Sequence, residues 1–200
     1  MDRSRVPCNN LQEFFKERLP EDRLASFFFG CRPVWTSGET STVNESLKDL
    51  AELLSKTVFS TSIKAKDKPG VLAEIADILV ENRKVASDQR AAVHAALIER
   101  EGKMSTGMQY GVAIPHAKTD AIEHLVSIIA LSPEGVDFDA LDGAPSNIFV
   151  ATLSPRADAN SHIKFLAEVS RQLASRRVRE KLLAAKTPDE MIEAICGPKD

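Results

Sequence analysis

The chain has 200 residues, 43% hydrophobic and 28% charged, with 9 glycines and 10 prolines. That is the composition of one ordinary globular domain with at most a modest appendage, and it excludes disorder as the main theme. Its 26 basic and 29 acidic side chains leave a formal charge of −3, so nothing in the bulk electrostatics points to nucleic acid or a membrane surface as partner.

The N-terminal region differs in texture from the rest. Leu11, Phe14, Phe15 and Leu19 lie on one helical stripe that Pro20 stops, and Leu24 to Phe29 ends in three phenylalanines before Gly30 and Pro33. Thr36 to Asn44 is polar and turn-rich, which reads as a linker and makes residues 1–45 an N-terminal extension to a domain spanning 46–200. Phe14, Phe15, Phe27, Phe28, Phe29 and Trp35 are too much apolar surface for a solvated tail. The extension is expected to pack on the main domain, on an identical subunit in a homo-oligomer, or on a different protein. Asp2, Arg3, Arg5 and Glu13 leave no continuous apolar core for a signal peptide. The apolar runs are strand-sized, well below the roughly 20 residues of a spanning helix. A cytoplasmic protein without direct membrane insertion is therefore expected.

From residue 46 the periodicity is regular. Leu47, Leu50, Leu53 and Leu54 predict a short helix, and Val58–Ile63 alternates as a strand. Asp67 and Pro69 open a helix carrying Val71, Leu72, Ile75, Ile78 and Leu79 on one stripe, and Ser87 or Asp88 caps a helix from Gln89 to about Glu101. Tyr110–Ile114, His124–Leu131 and Ser146–Leu153 read as strands, with a loop over Ser132–Pro145. Ser161 caps a helix bearing Ile163, Leu166, Val169 and Leu173, and two further helices follow near Val178–Ala185 and Pro188–Ile195. This alternation predicts an α/β sandwich with helices covering a sheet. Cys8, Cys31 and Cys196 fit neither a zinc site nor a disulfide framework and are read as reduced and incidental. No metal or cofactor is expected.

Of the four histidines, His94 among helical alanines and His124 at the start of an apolar strand read as structural. His116 follows Gly111-Val112-Ala113-Ile114-Pro115. Proline cannot donate to a ladder, so Pro115 is expected to end the strand and leave His116 just beyond its carboxyl end, where α/β sheets bind ligands. Upstream, Ser105-Thr106-Gly107 supplies hydroxyls and a flexible turn that could present donors to an anion. His162 falls in the first turn of its helix, where the dipole favours neutral imidazole and free N–H groups suit an anion; the plainer reading is an exposed first-turn histidine. Arg100 shares a helical face with Val93 and Leu97, which directs its guanidinium toward the packed side, although an arginine near a helix C-terminus is favourable in any case. Two histidines and an arginine, with no triad acid or glycine-rich phosphate loop, suggest phosphate handled by imidazole and guanidinium.

The run Ile98-Glu99-Arg100-Glu101-Gly102-Lys103-Met104-Ser105-Thr106-Gly107, continuing through Tyr110 to Ala113-Ile114-Pro115-His116-Ala117, resembles the signature of the IIA component of the bacterial sugar phosphotransferase system, fructose–mannitol type, a family that includes nitrogen-regulatory members. The likeness covers about residues 46–196 and includes Ser161-His162-Ile163. It implies a central mixed β-sheet flanked by helices. It further implies that His116 is the phosphoryl acceptor and transient phosphohistidine, with Arg100 as the phosphate-stabilising arginine and His162 as the second active-site histidine. The implied donor is a histidine phosphocarrier protein, HPr or its nitrogen-branch homologue. The implied recipient is a IIB domain or a regulated transporter or kinase, and the regulatory destination is slightly preferred. A protein-binding module that retains the fold without phosphorylation is the rival reading. Two positions depart from the family. Tyr110 stands where some members carry an acid or amide, so a carboxylate role there does not transfer, although its hydroxyl could still hydrogen-bond. Lys118 follows Ala117 where glycine often follows the histidine, and it either adds positive charge for docking or is merely solvated.

Overall fold

The chain's structure, a computed structural model, describes residues 53–158 and 160–196, with only the backbone described at 160–162. The expected N-terminal extension, its boundary with the domain, residues 47–52 of the first helix, Cys8 and Cys31 lie outside the described residues. A helical turn at 53–55 leads into β1 (Val58–Ser60), and α1 spans Lys68–Glu81. A 3-10 turn at Ser87–Gln89 runs into α2 (Arg90–Lys103). Next come β2 (Val112–Ala113), β3 (His116–Lys118), β4 (Val126–Val136) and β5 (Ser146–Ser154). The described chain closes with α3 (Asn160–Leu173), α4 (Arg176–Ala184) and α5 (Pro188–Cys196).

The strands form one mixed sheet in the order β1-β4-β5-β2, with β3 also on β5. β4 and β5 are antiparallel, while β1 on β4 and β2 and β3 on β5 are parallel. Both faces are covered, which is why β5 reads as a nearly continuous apolar run. Phe149, Ala151 and Leu153 face a core with Leu72, Ile75 and Leu79 of α1 and Val93 and Leu97 of α2. Ile148 and Val150 face a second core with Phe165 and Val169 of α3, Leu182 of α4 and Ile192 of α5. Among the described residues no helix is long and apolar enough to cross a membrane.

Local chemistry explains where elements begin and where expectation fails. Asp67 caps α1 as expected, its Oδ1 accepting the Gly70 N–H at 2.7 Å, with proline in the first turn. Neither Ser87 nor Asp88 caps α2 directly. The 3-10 turn satisfies backbone donors instead, Gln89 N–H bonding to Ala86 O and Arg90 N–H to Ser87 O. The strand expected at Val58–Ile63 is only three residues long. Ser161 lies inside α3, which already starts at Asn160, and so does not cap it.

The strand expected at Tyr110–Ile114 shrinks to Val112–Ala113 because Tyr110 (φ 65°) and Gly111 (φ 73°) adopt left-handed backbone. Pro115 breaks the line, as expected, but His116 does not leave the sheet. It opens β3 on the same neighbour, paired with Thr152, while the Pro115 carbonyl accepts the Thr152 N–H at 3.0 Å. β4 extends well into the expected 132–145 loop, through a register shift between Leu131 and Val136 that a glycine–proline count reads as a loop. Cys196 is a free thiol that burial pushes up to about 12, in keeping with an unreactive residue.

Candidate functional site

The site is assembled where the end of α2 meets β3. Val93 and Leu97 are buried in the core beneath α2, so the same helical face carries Arg100 to the sheet edge, where it is half-buried. Its guanidinium makes two bonds. Nη1 donates to the Met104 carbonyl at 2.8 Å, and Nε donates to His116 Nε2 at 3.1 Å. The other ring nitrogen, Nδ1, lies 2.8 Å from the Ile114 carbonyl.

These partners fix the tautomer. A carbonyl only accepts and a guanidinium only donates, so Nδ1 carries the proton and Nε2 presents its lone pair. Burial holds the imidazole below the usual histidine range; the Ile114 carbonyl opposes that, the Arg100 charge lowers it further, and the nearby Glu101 charge raises it in part. The result is a neutral imidazole with its nucleophilic nitrogen aimed at a cation.

His116 and Arg100 line a cavity of about 420 Å³. Among the described residues its lining includes four cationic side chains, Arg100, Lys103, Lys118 and Arg156, and one carboxylate, Glu99. Glu99 pairs with Lys103 at 2.7 Å, and Arg156 pairs with Asp120 at 3.2 Å, both in exposed positions where ion pairs are weak and easily exchanged. Ile163, 64% exposed, closes the rim and brings the first turn of α3 to the cavity. A positive, partly apolar recess beside a neutral imidazole suits a phosphoryl group.

The structure therefore brings together His116, Arg100 and Lys118 of the residues singled out from sequence. His162 lies in the first turn of α3, one residue before Ile163, but its side chain is outside the described residues. Ser105, Thr106 and Tyr110 do not line the cavity. Ser105 Oγ donates to the Phe138 carbonyl at 2.7 Å, and Thr106 Oγ1 donates to Glu101 at 2.5 Å. Tyr110 is 66% exposed, with the Arg179 guanidinium 4.8 Å from its ring centroid. Neither His94 nor His124 lines the cavity. Sequence reasoning gives Lys103, Arg156 and Glu99 no role, although Glu99 and Lys103, one turn apart on the helix that carries Arg100, lie within the Ile98–Gly107 run. Among the described residues no three His, Cys, Asp or Glu converge as a metal-ion set.

Comparison with known proteins identifies the family. Residues 52–196 match the family described as the phosphoenolpyruvate-dependent sugar phosphotransferase system, EIIA 2. The chain is 39% identical over 128 residues, 64% of its length and 82% of the relative's, to a PTS system fructose-specific EIIA component of Haloferax volcanii. It is 27% identical over 149 residues, 74% of its length and 95% of the relative's, to a nitrogen regulatory protein of Bradyrhizobium diazoefficiens. Among solved structures, the nitrogen regulatory protein IIA-Ntr of Neisseria meningitidis superposes with a TM-score of 0.62 at 26% identity, over 71% of this chain and 94% of that one. A phosphate-suited site on this fold, with a family match across the whole described domain, places the chain in the EIIA 2 family of the sugar phosphotransferase system.

Proposed function

We propose that the protein is a phosphoryl relay in which His116 Nε2 takes a phosphoryl group from a histidine phosphocarrier and hands it on. The lone pair of Nε2 attacks phosphorus as the donor's N–P bond breaks, and the donor nitrogen keeps that bond's electron pair. The new N–P bond leaves the proton on Nδ1, held by the Ile114 carbonyl. A loose, metaphosphate-like transition state spreads charge over the equatorial oxygens, so catalysis is positioning plus cationic stabilisation. Arg100 supplies that charge by moving its Nε–H from Nε2 to a phosphoryl oxygen while Nη1 stays on the Met104 carbonyl. His162, at the start of α3, is proposed as a neutral donor to the same group, with Lys118 adding charge at the rim.

The observation that carries this reading is the paired bonding of His116, which leaves Nε2 unprotonated beside a guanidinium. The rival, a binding module that keeps the fold without phosphorylation, has no use for a tautomer fixed in that way. Incubation with phosphoenolpyruvate, enzyme I and a phosphocarrier decides between them. An acid-labile phosphate lost in His116→Ala and kept in His124→Ala supports the relay, and an unlabelled intact protein defeats it.

For the recipient, the relatives carry both kinds of name, fructose-specific and nitrogen regulatory. A IIB domain is the proposed recipient in sugar uptake, and a transporter or kinase responding to the phosphorylation state is the proposed target in regulation. Mixing labelled protein with a fructose-type IIB domain separates them: transfer supports uptake, and retention supports the regulatory destination preferred from the sequence. Residues 1–45 are proposed as an appendage, so phosphorylation should survive their deletion.

A further inference from the structure

Behind the cavity lies a buried polar cluster that the relay step does not touch. Glu101, 8% exposed, follows Arg100 on α2. One of its oxygens accepts the Thr106 N–H at 3.0 Å and sits 3.0 Å from Lys68 Nζ; the other accepts the Thr106 hydroxyl at 2.5 Å. Lys68 also reaches Asp139 at 2.7 Å and Ser105 Oγ at 3.2 Å. A buried carboxylate with three donors, one of them a cation, is fully satisfied and holds its partners firmly.

What it holds is the turn that addresses both site residues. The Thr106 carbonyl accepts the Ile114 N–H at 3.0 Å, and the Ile114 carbonyl takes the proton of His116 Nδ1. Two residues before Thr106, the Met104 carbonyl anchors Arg100 Nη1. One branch therefore sets the histidine tautomer, the other sets the guanidinium, and both leave from a turn pinned by Glu101.

We propose that Glu101, clamped by Lys68, is a positioning residue that acts through Thr106 to fix the tautomer of His116 and the direction of Arg100. This rests on the relay reading for its functional consequence, while its structural content stands on the Glu101–Thr106–Ile114–His116 chain of bonds. It also gives Ser105 and Thr106 a purpose other than direct contact with phosphate.

The experiment records 15N ring shifts of His116 and the rate of labelling from a phosphocarrier in wild type, Glu101→Leu and Glu101→Gln. In Glu101→Leu the single Nδ1–H signature should give way to a mixture of tautomers, and labelling should slow by about tenfold to a hundredfold, the scale of a misplaced reacting group. Glu101→Gln keeps an oxygen for the Thr106 N–H and should retain the tautomer and most of the rate. A folded Glu101→Leu with the wild-type tautomer and rate overturns the proposal. Should that variant fail to fold, Thr106→Val, which deletes only the hydroxyl bond, is read in its place; the same change in smaller measure supports the proposal, and unchanged signals overturn it. A wild-type protein that takes no phosphate defeats the relay reading alone, because the tautomer is measured without a donor.

Discussion

Arg100 and His116 meet through a hydrogen bond that occupies the lone pair on which the proposed relay depends, Arg100 Nε standing 3.1 Å from His116 Nε2. In the proposed relay the guanidinium guards the nucleophile at rest and lies within a small rotation of an arriving phosphoryl group. Because its second bond goes to a backbone carbonyl, the Arg100 side chain can release Nε2 without losing its place.

Arg100→Ala should accordingly lower the phosphorylation rate by about a hundredfold or more, the usual effect of removing a charge-stabilising donor. Stability should change by no more than about 1 kcal/mol, since the residue is half-buried and fills no core space. Arg100→Lys restores charge but not the fork and should recover only part of the rate. Transfer assays alongside urea denaturation check both, and a collapse of stability would assign Arg100 a structural role.

The acid dependence follows from the imidazole. Its folded pKa lies below the usual 6.5, chiefly through burial. Between the two values the unfolded chain binds the extra proton and the folded one does not, so stability falls as pH drops through 6.5 and levels off below the folded pKa. Over the same window the phosphate-accepting rate should decline only once pH nears the folded value. Ring-shift titration should place the His116 midpoint below 6.5 and move it upward in Arg100→Ala, which removes a lowering charge. A wild-type midpoint above 6.5 would contradict the assignment.

Gly107 is needed for close approach. A Cβ there would lie 2.7 Å from the Phe138 carbonyl oxygen and 2.8 Å from Ala140 Cα, both backbone atoms with little freedom to yield. Gly107→Ala should therefore destabilise the protein by about 1–3 kcal/mol in urea titrations. An unchanged midpoint would show that the 138–140 segment moves aside.

Lys68→Met deletes the cation from a carboxylate whose side chain is only 5% exposed. Loss of one partner of a buried ion pair commonly costs about 3–5 kcal/mol, and the lower end is expected because Lys68 keeps some solvent contact. Thermal or denaturant unfolding measures it directly. A neutral result would mean that the Thr106 donors alone satisfy Glu101.

Much of the fold is legible in the sequence because helices with one buried stripe announce themselves, as the Val71, Leu72, Ile75, Ile78 and Leu79 set does. The failures share a cause: local signals do not report a tertiary partner. Tyr110 reads as a strand residue, yet its N–H is taken by Asp142 at 2.9 Å in a left-handed turn. The Ser105 and Thr106 hydroxyls look available, but their acceptors, Phe138 and Glu101, are visible only after folding. Arg100 and His116 were legible because helix phase and Pro115 each constrain geometry locally. Arg156 was not, because a solvated arginine in a loop carries no periodicity.

The most direct test of the central assignment is heteronuclear NMR of the phosphorylated protein, which identifies both the modified residue and the modified nitrogen. A phosphoramidate on Nε2 of His116, with Nδ1 still protonated and bonded, is the expected result. Phosphate on Nδ1, on another residue, or on none would contradict the assignment of His116 Nε2 as the relay nitrogen.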